Sequence, residues 1–297
     1  MQNERTPVVS VIMGVYNQYS EVQLLAAVNS ILIQTFKDFE FIIYDDGSEA
    51  EPAALLQNLM TIDSRIRVIR CEENHGLAFS LNRCINAAKG KYLARMDADD
   101  FSLPNRLEEE VKFLDEHPEY DWVGCNAKIF EGKRIRGTRI MAEEPNKYNF
   151  LPFSPYIHPT VMFRRSLFET GSSYNVSQET LRCEDYELFM RLYQQGYCGY
   201  NLQKILFLYR EDVDAYRRRT CKSRLREVSI RRKHFCKMGL PWKKRVLYIF
   251  RPIMSMLIPY PLIAYYKKMR MKELSYGKNN EEEANVSRYV KAYIQSL

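Results

Sequence analysis

Several features are scarce or missing in this 297-residue chain, and each absence removes a class of protein. The seven cysteines (Cys71, Cys84, Cys125, Cys183, Cys198, Cys221 and Cys236) are scattered and odd in number, with no C-x-x-C pair. That pattern argues against a disulfide framework and against a zinc site, and suits a reducing compartment. The first residues are polar up to Pro7, so no signal peptide is expected. No run of about 20 apolar residues stays free of charge, as a spanning helix would require. Internal repeats and low-complexity tracts are absent. After the first apolar run stands Gly14-Val15-Tyr16-Asn17-Gln18, with one glycine and no base. This counts against the Gly-rich, cationic phosphate loop of a nucleotidylyltransferase.

What is present is unevenly charged. Residues 215–278 hold 19 basic side chains against two acids, Glu227 and Glu273. The rest of the chain holds 25 basic and 35 acidic ones. An acidic body and a strongly basic C-terminal part need different partners, the latter an anionic one.

The acidic part has its sharpest feature in Asp97-Ala98-Asp99-Asp100, placed after the apolar Tyr92-Leu93-Ala94. Three carboxylates at a strand end repel one another unless a cation lies among them. Oxygen ligands of this kind suit Mg2+ or Mn2+, which keep positions open for phosphates. A metal-diphosphate site is the reading this favours; helix capping by Asp100 or Ser102 is the plainer alternative.

Apolar patterning predicts strands at Val8–Met13, Phe39–Tyr44, Ile66–Arg70 and Lys91–Met96. They alternate with helices at Glu21–Gln34, Pro52–Met60, Leu77–Ala88 and Pro104–Glu116. This alternation implies an α/β fold with a mostly parallel central sheet, its ligands bound beyond the C-terminal strand ends. Tyr16, Asp45-Asp46 and the Asp97–Asp100 run all fall on that edge. Further on, strands are expected at Trp122–Phe130, Ile135–Ile140, Thr160–Phe163 and Ile205–Tyr209, with a helix at Glu184–Gln195. Residues 1–215 then form one domain, 216–278 a basic helical segment and 279–297 a short tail. Within the basic segment, Val246–Tyr266 is apolar but broken by Arg251, Pro252, Pro259 and Pro261. Such a stretch suits an interfacial or re-entrant element rather than a span, and a chain ending at Arg219 is expected to leave membranes. An RNA-binding arm is the rival reading. It is disfavoured because the aromatics form one block instead of interleaving with charge, so no nucleic-acid partner is expected.

Val9–Asn17, Gln34-Thr35-Phe36, Asp45-Asp46-Gly47-Ser48, Asn74-His75-Gly76-Leu77, Ala87-Ala88-Lys89-Gly90 and the D-x-D-D run together resemble family 2 glycosyltransferases. The resemblance spans roughly residues 7–215 in order, with Gly14 standing where proline, alanine or threonine is more usual. It implies a GT-A, Rossmann-like nucleotide-sugar-binding domain and sugar transfer with inversion, dependent on Mn2+ or Mg2+. By resemblance Asp46 meets the base of a nucleotide, usually uracil, and Asp45 shares that role. Tyr16 lies against base or ribose. Asp97 contacts ribose or a metal-bound water, and Asp99 ligates the metal. Asp185 is the base toward the acceptor hydroxyl, with Glu184 orienting it or binding the acceptor. Either acid of that pair would also be favoured by the dipole of a first helical turn alone. Tyr209-Arg210 and Arg217–Arg219 offer cations for the diphosphate, and His158 is given no chemistry. The basic–apolar tail looks like those of members working on lipid-linked glycans. A UDP-sugar donor, a polyprenyl-diphosphate-linked acceptor and a place on the cytoplasmic face of a bacterial membrane are what the resemblance implies, in surface polysaccharide synthesis.

Overall fold

A computed structural model describes residues 6–132, 134–211 and 220–256. Strand β1 (Val9–Val15) is buried on both faces and pairs in parallel with β2 (Phe39–Asp46) and β4 (Tyr92–Arg95). Beyond β2 lies β3 (Ile66–Cys71), also parallel. Side chains alternate across the sheet, so Val9, Val11 and Met13 face one apolar layer and Ile12 the other.

The first layer is covered by α1 (Glu21–Leu32), α2 (Ala50–Asn58) and α4 (Arg106–Glu116), through Leu24, Leu56 and Leu107. The second is covered by α3 (Leu77–Ala87) through Leu81 and Cys84. Helix α1 begins where the Ser20 hydroxyl accepts from the Gln23 amide. Gly14 explains itself here. A Cβ on it would lie 2.9 Å from Ser80 Cβ of α3, so its absence lets the helix sit close on the sheet.

The whole sheet is mixed, which corrects the mostly parallel expectation. Among the described residues its nine strands run β3-β2-β1-β4-β8-β6-β9-β5, with β7 on β6. These include β5 (Phe101–Ser102), β6 (Trp122–Glu131), β7 (Arg134–Arg139), β8 (Met162–Arg164) and β9 (Gly199–Arg210). Only β6 and β9 pair in parallel in this half; β8 is antiparallel to both β4 and β6. The physical reason is the route of the chain. The connection before β8 ends at the loop edge beside Arg95, whose amide donates to Val161 O, so β8 must run back. An antiparallel return needs no crossover helix.

Beyond a one-turn helix α5 (Ser166–Glu169) come α6 (Glu184–Gln194), α7 (Cys221–Lys237) and α8 (Trp242–Met254). All three join the second apolar layer, α6 with Leu188 and Phe189, α7 with Ile230 and Phe235, α8 with Ile249. A buried arginine pins the α7–α8 hairpin to the body. Arg231 pairs with Glu227 at 2.8 Å and donates to Leu151 O at 2.5 Å and Tyr248 O at 3.3 Å. The expected boundary at 215/216, Arg217–Arg219, the rest of the Val246–Tyr266 stretch beyond 256 and the 279–297 tail lie outside the described residues. Among the described residues, no helix is long and apolar enough to cross a membrane.

Candidate active site

The ends of β1, β2 and β4 bring Tyr16, Asp45-Asp46 and Asp97–Asp100 to one sheet edge. Tyr16 is 53% exposed there. Asp45 and Asp46 are buried and already engaged. Asp45 pairs with Arg70 at 2.6 Å and accepts from the Ser48 amide at 2.9 Å, holding the turn at Gly47, whose φ is +73°. The Asp46 carboxylate accepts from the His75 amide at 3.1 Å and the Gly76 amide at 2.7 Å, fastening the loop that opens α3.

At the end of β4, Asp97, Asp99 and Asp100 present carboxylate oxygens within 4.8 Å of one another. Asp97 forms an ion pair with the buried Arg95. Asp100 is fully buried; one oxygen accepts from the Arg210 amide at 2.7 Å, while Oδ2 has no hydrogen-bond partner. Burial, then the neighbouring Asp99 and Asp97, push the Asp100 carboxyl well above its ordinary value. A cation among the three would relieve that cost and meet the partnerless oxygen. The donor set, all hard oxygen, therefore fits Mg2+ or Mn2+.

Two braces set the cluster's position. Gln34, wholly buried, donates to Ser30 O and Leu103 O, both at 2.8 Å, and accepts from the Leu107 amide at 3.0 Å. It thereby ties α1 to the turn after Asp100. Arg210 ends β9 and donates from Nε to Asp99 O at 2.9 Å, with its guanidinium over Phe130. Arg210 is thus buried against the backbone of the cluster rather than free in the cleft.

Glu184 and Asp185 open α6, across the site from the β4 end. Burial first, and Asp185 among the lesser causes, raises the Glu184 carboxyl above its ordinary range. Tyr174 is buried; its phenol is raised by burial and also feels Asp185, Glu184 and Asp97. His158 Nε2 lies 2.6 Å from the Tyr174 hydroxyl, and Asn82 of α3 bonds both backbone groups of Tyr174. Burial and the nearby Arg95 hold His158 well below its ordinary value, in the neutral form. Glu184 lines a cavity of about 160 Å3, with His75, Gly76, Ser177 and Thr180 among the other lining residues.

The sequence reading missed Arg70, Arg95, Tyr174 and the partnerless oxygen of Asp100. Arg95 alone left a signal, a charge within the apolar run of β4. The others depend on contacts between distant segments.

Comparison with known proteins gives the family. The model of the family described as Glycosyl transferase family 2 matches residues 10–171. The chain belongs to this family. EpsE of Bacillus subtilis (strain 168), which carries a glycosyltransferase name, is 35% identical over 272 residues, covering 91% of this chain and 97% of the relative. The amylovoran biosynthesis glycosyltransferase AmsE of Erwinia amylovora is 26% identical, covering 88% and 98%. Among solved structures, S. aureus TarS in complex with UDP-GlcNAc matches with a TM-score of 0.63 at 19% identity, covering 82% of this chain and 71% of that one. Mannosyltransferase PcManGT from Pyrobaculum calidifontis, in complex with GDP-Man and Mn2+, matches with a TM-score of 0.58 at 16% identity, covering 99% and 86%. The protein is a family 2 glycosyltransferase with a GT-A-like fold.

Proposed function

We propose that this glycosyltransferase moves a sugar from a UDP-sugar, with inversion, to a lipid-linked glycan in bacterial surface polysaccharide synthesis. The observation that carries the reading is the cluster of Asp97, Asp99 and Asp100 at the end of β4, whose carboxylate oxygens lie within 4.8 Å of one another. Support for the setting comes from the names of relatives, amylovoran and O-antigen biosynthesis glycosyltransferases among them.

In this reading Tyr16 offers its exposed ring to the base, and Asp45 and Asp46 form the polar floor of the same slot. Asp97 and Asp99 would hold the divalent ion, with Asp100 Oδ2 beside them. When bound, the ion supplies charge neutralisation to the departing diphosphate. Asp185 takes the proton of the acceptor hydroxyl as its oxygen attacks the anomeric carbon from the face opposite the diphosphate. The bond from that carbon to the diphosphate oxygen breaks, and the proton rests on Asp185. Glu184, held toward its neutral form by burial, donates a hydrogen bond to the acceptor.

Helix α8 supports the membrane part of the proposal. Trp242, Val246, Leu247, Phe250 and Met254 are all exposed on it, beside Lys243, Lys244 and Arg245. Apolar side chains standing in solvent next to cations suit an anionic bilayer surface, each cation adding about 1 kcal/mol.

The test is calorimetry of the full chain against UDP, GDP, CMP and dTDP, with and without Mn2+. UDP binding that requires Mn2+ and disappears in Asp99→Asn is the expected result. Metal-independent binding, or preference for another nucleotide, would overturn the donor assignment. For the membrane, Leu247→Ser with Phe250→Ser should lower co-sedimentation with anionic vesicles; unchanged sedimentation would remove α8 as the docking element.

A further inference from the structure

A second group of metal-ligating side chains lies beside the first, at the ends of β2 and β3. Asp46 is registered against Cys71 across these strands, and Glu73 and His75 follow Cys71 at alternate positions. Cys71 Sγ stands 3.8 Å from Asp46 Oδ1 and 4.0 Å from His75 Nδ1. The thiol and the imidazole turn toward one atom, the Glu73 carbonyl oxygen, at 3.0 Å and 2.8 Å. Ligand atoms of Asp46, Cys71 and His75 lie within 4.8 Å of one another. Bond lengths of about 2.3 Å to sulfur and about 2.0 Å to nitrogen or oxygen give tetrahedral edges of roughly 3.5 Å. The observed S···O and S···N separations therefore exceed a closed site by a few tenths of an ångström.

We propose that Asp46, Cys71 and His75, with the Glu73 carbonyl, form a second cation site, one that takes a borderline divalent ion such as Zn2+. Its thiolate and imidazole ligands set it apart from the all-oxygen cluster of Asp97, Asp99 and Asp100, which favours Mg2+ or Mn2+. Without the ion, the Cys71 S–H and the His75 Nδ1–H both donate to the Glu73 carbonyl. On binding, Cys71 releases its proton to solvent and His75 moves its proton from Nδ1 to Nε2. One carboxylate and one thiolate then balance the two positive charges. Asp46 has lone pairs enough to keep the His75 and Gly76 amides while ligating. The ion would lock β2, β3 and the loop into α3 together, at the floor of the slot proposed above for the base.

The experiment uses the full chain saturated with Mn2+ and titrated with Co2+, whose bonding to thiolate gives a near-ultraviolet charge-transfer band. A band that saturates at one equivalent and is displaced by Zn2+ is expected. It should persist in Asp99→Asn and vanish in Cys71→Ser. His75→Ala, at an exposed position, should weaken Zn2+ binding more than the roughly tenfold cost of losing a supporting contact. Absence of the band in the parent protein, its survival in Cys71→Ser, or unchanged Zn2+ affinity in His75→Ala would each overturn the proposal. If Cys71→Ser fails to fold, His75→Ala decides.

Discussion

The two halves of this sheet solve the problem of placing acids in different ways. In the parallel half, β3-β2-β1-β4, regular strand–helix alternation delivers Tyr16, Asp46 and Asp97 to one edge, where the acids are tied by turn and loop amides and by arginines on the strands, Arg70 to Asp45 and Arg95 to Asp97. In the mixed half, β8-β6-β9 with α6, α7 and α8, position is set by buried cations that cross between elements. Arg231 bridges α7 to the 151–152 backbone and α8, and Arg210 clamps Asp99 and Asp100. Both halves thus use cations to place the site: in the parallel half they come from the strands that carry or flank the acids, in the mixed half from elements that cross between layers.

Substitutions can break this contrast. The largest effect is expected at Asp185→Asn, where turnover should fall by about 10^2 to 10^4 while metal-dependent nucleotide binding and melting stay near those of the parent. Retained transfer would remove Asp185 as the base. Next, Arg231→Met leaves Glu227 without its close partner and the Leu151 and Tyr248 carbonyls without a donor. A loss of about 3–5 kcal/mol in denaturant unfolding is expected; a loss below about 1 kcal/mol would show that the hairpin is not pinned by this side chain.

The mixed half should also carry an acid sensitivity. Burial lowers His234 of α7 from 6.5 to about 4. The unfolded chain takes up that proton near pH 6.5 and the folded one only near 4, so stability is full above 6.5 and falls as pH drops through this window. His234→Gln should flatten the slope between those values; an unchanged profile would point to another group. Gly14→Ala in the parallel half should cost about 1–3 kcal/mol by pressing α3 off β1. Smallest of all, Asp63→Ala breaks only the partly exposed pair with Arg65 and should shift stability by less than about 1 kcal/mol.

The deletion at Arg219 turns out to be a poor test of membrane binding. Ile230, Phe235, Met238, Leu240 and Ile249 all lie in the core that a cut there would open. At about 1.5–3 kcal/mol each, they rival the about 5–15 kcal/mol that holds a typical domain. Charge counting marks residues 215–278 as a separate basic segment. Packing shows that α7 and α8 share an apolar layer with α6, a fact carried by a few apolar side chains spaced among many cations.

How far the sequence could be read follows the same division. The strands and helices up to Glu116 come out within a few residues, since apolar period and strand length suffice there. At Pro104 the reading starts the helix too early, because Leu103-Pro104-Asn105 form the turn that Gln34 braces. Strand β9 begins at Gly199 rather than Ile205. Its first residues are polar, and the register of β6 against β9 shifts at Cys125 and Asn126. Gly199 itself makes room for the indole of Trp122, a contact no local pattern reveals.

By itself the sequence determined the family, the α/β alternation of the first half and the residues that end on the loop edge. These depend on local periodicity and on residue types whose chemistry is plain at short range. Only the tertiary structure decided that the sheet turns mixed after β4, that Arg95 pairs with Asp97, that one oxygen of Asp100 is buried without a hydrogen-bond partner, and that Asp46, Cys71 and His75 meet. Those outcomes rest on pairs far apart in the chain, and contact between such pairs is set by how whole layers pack.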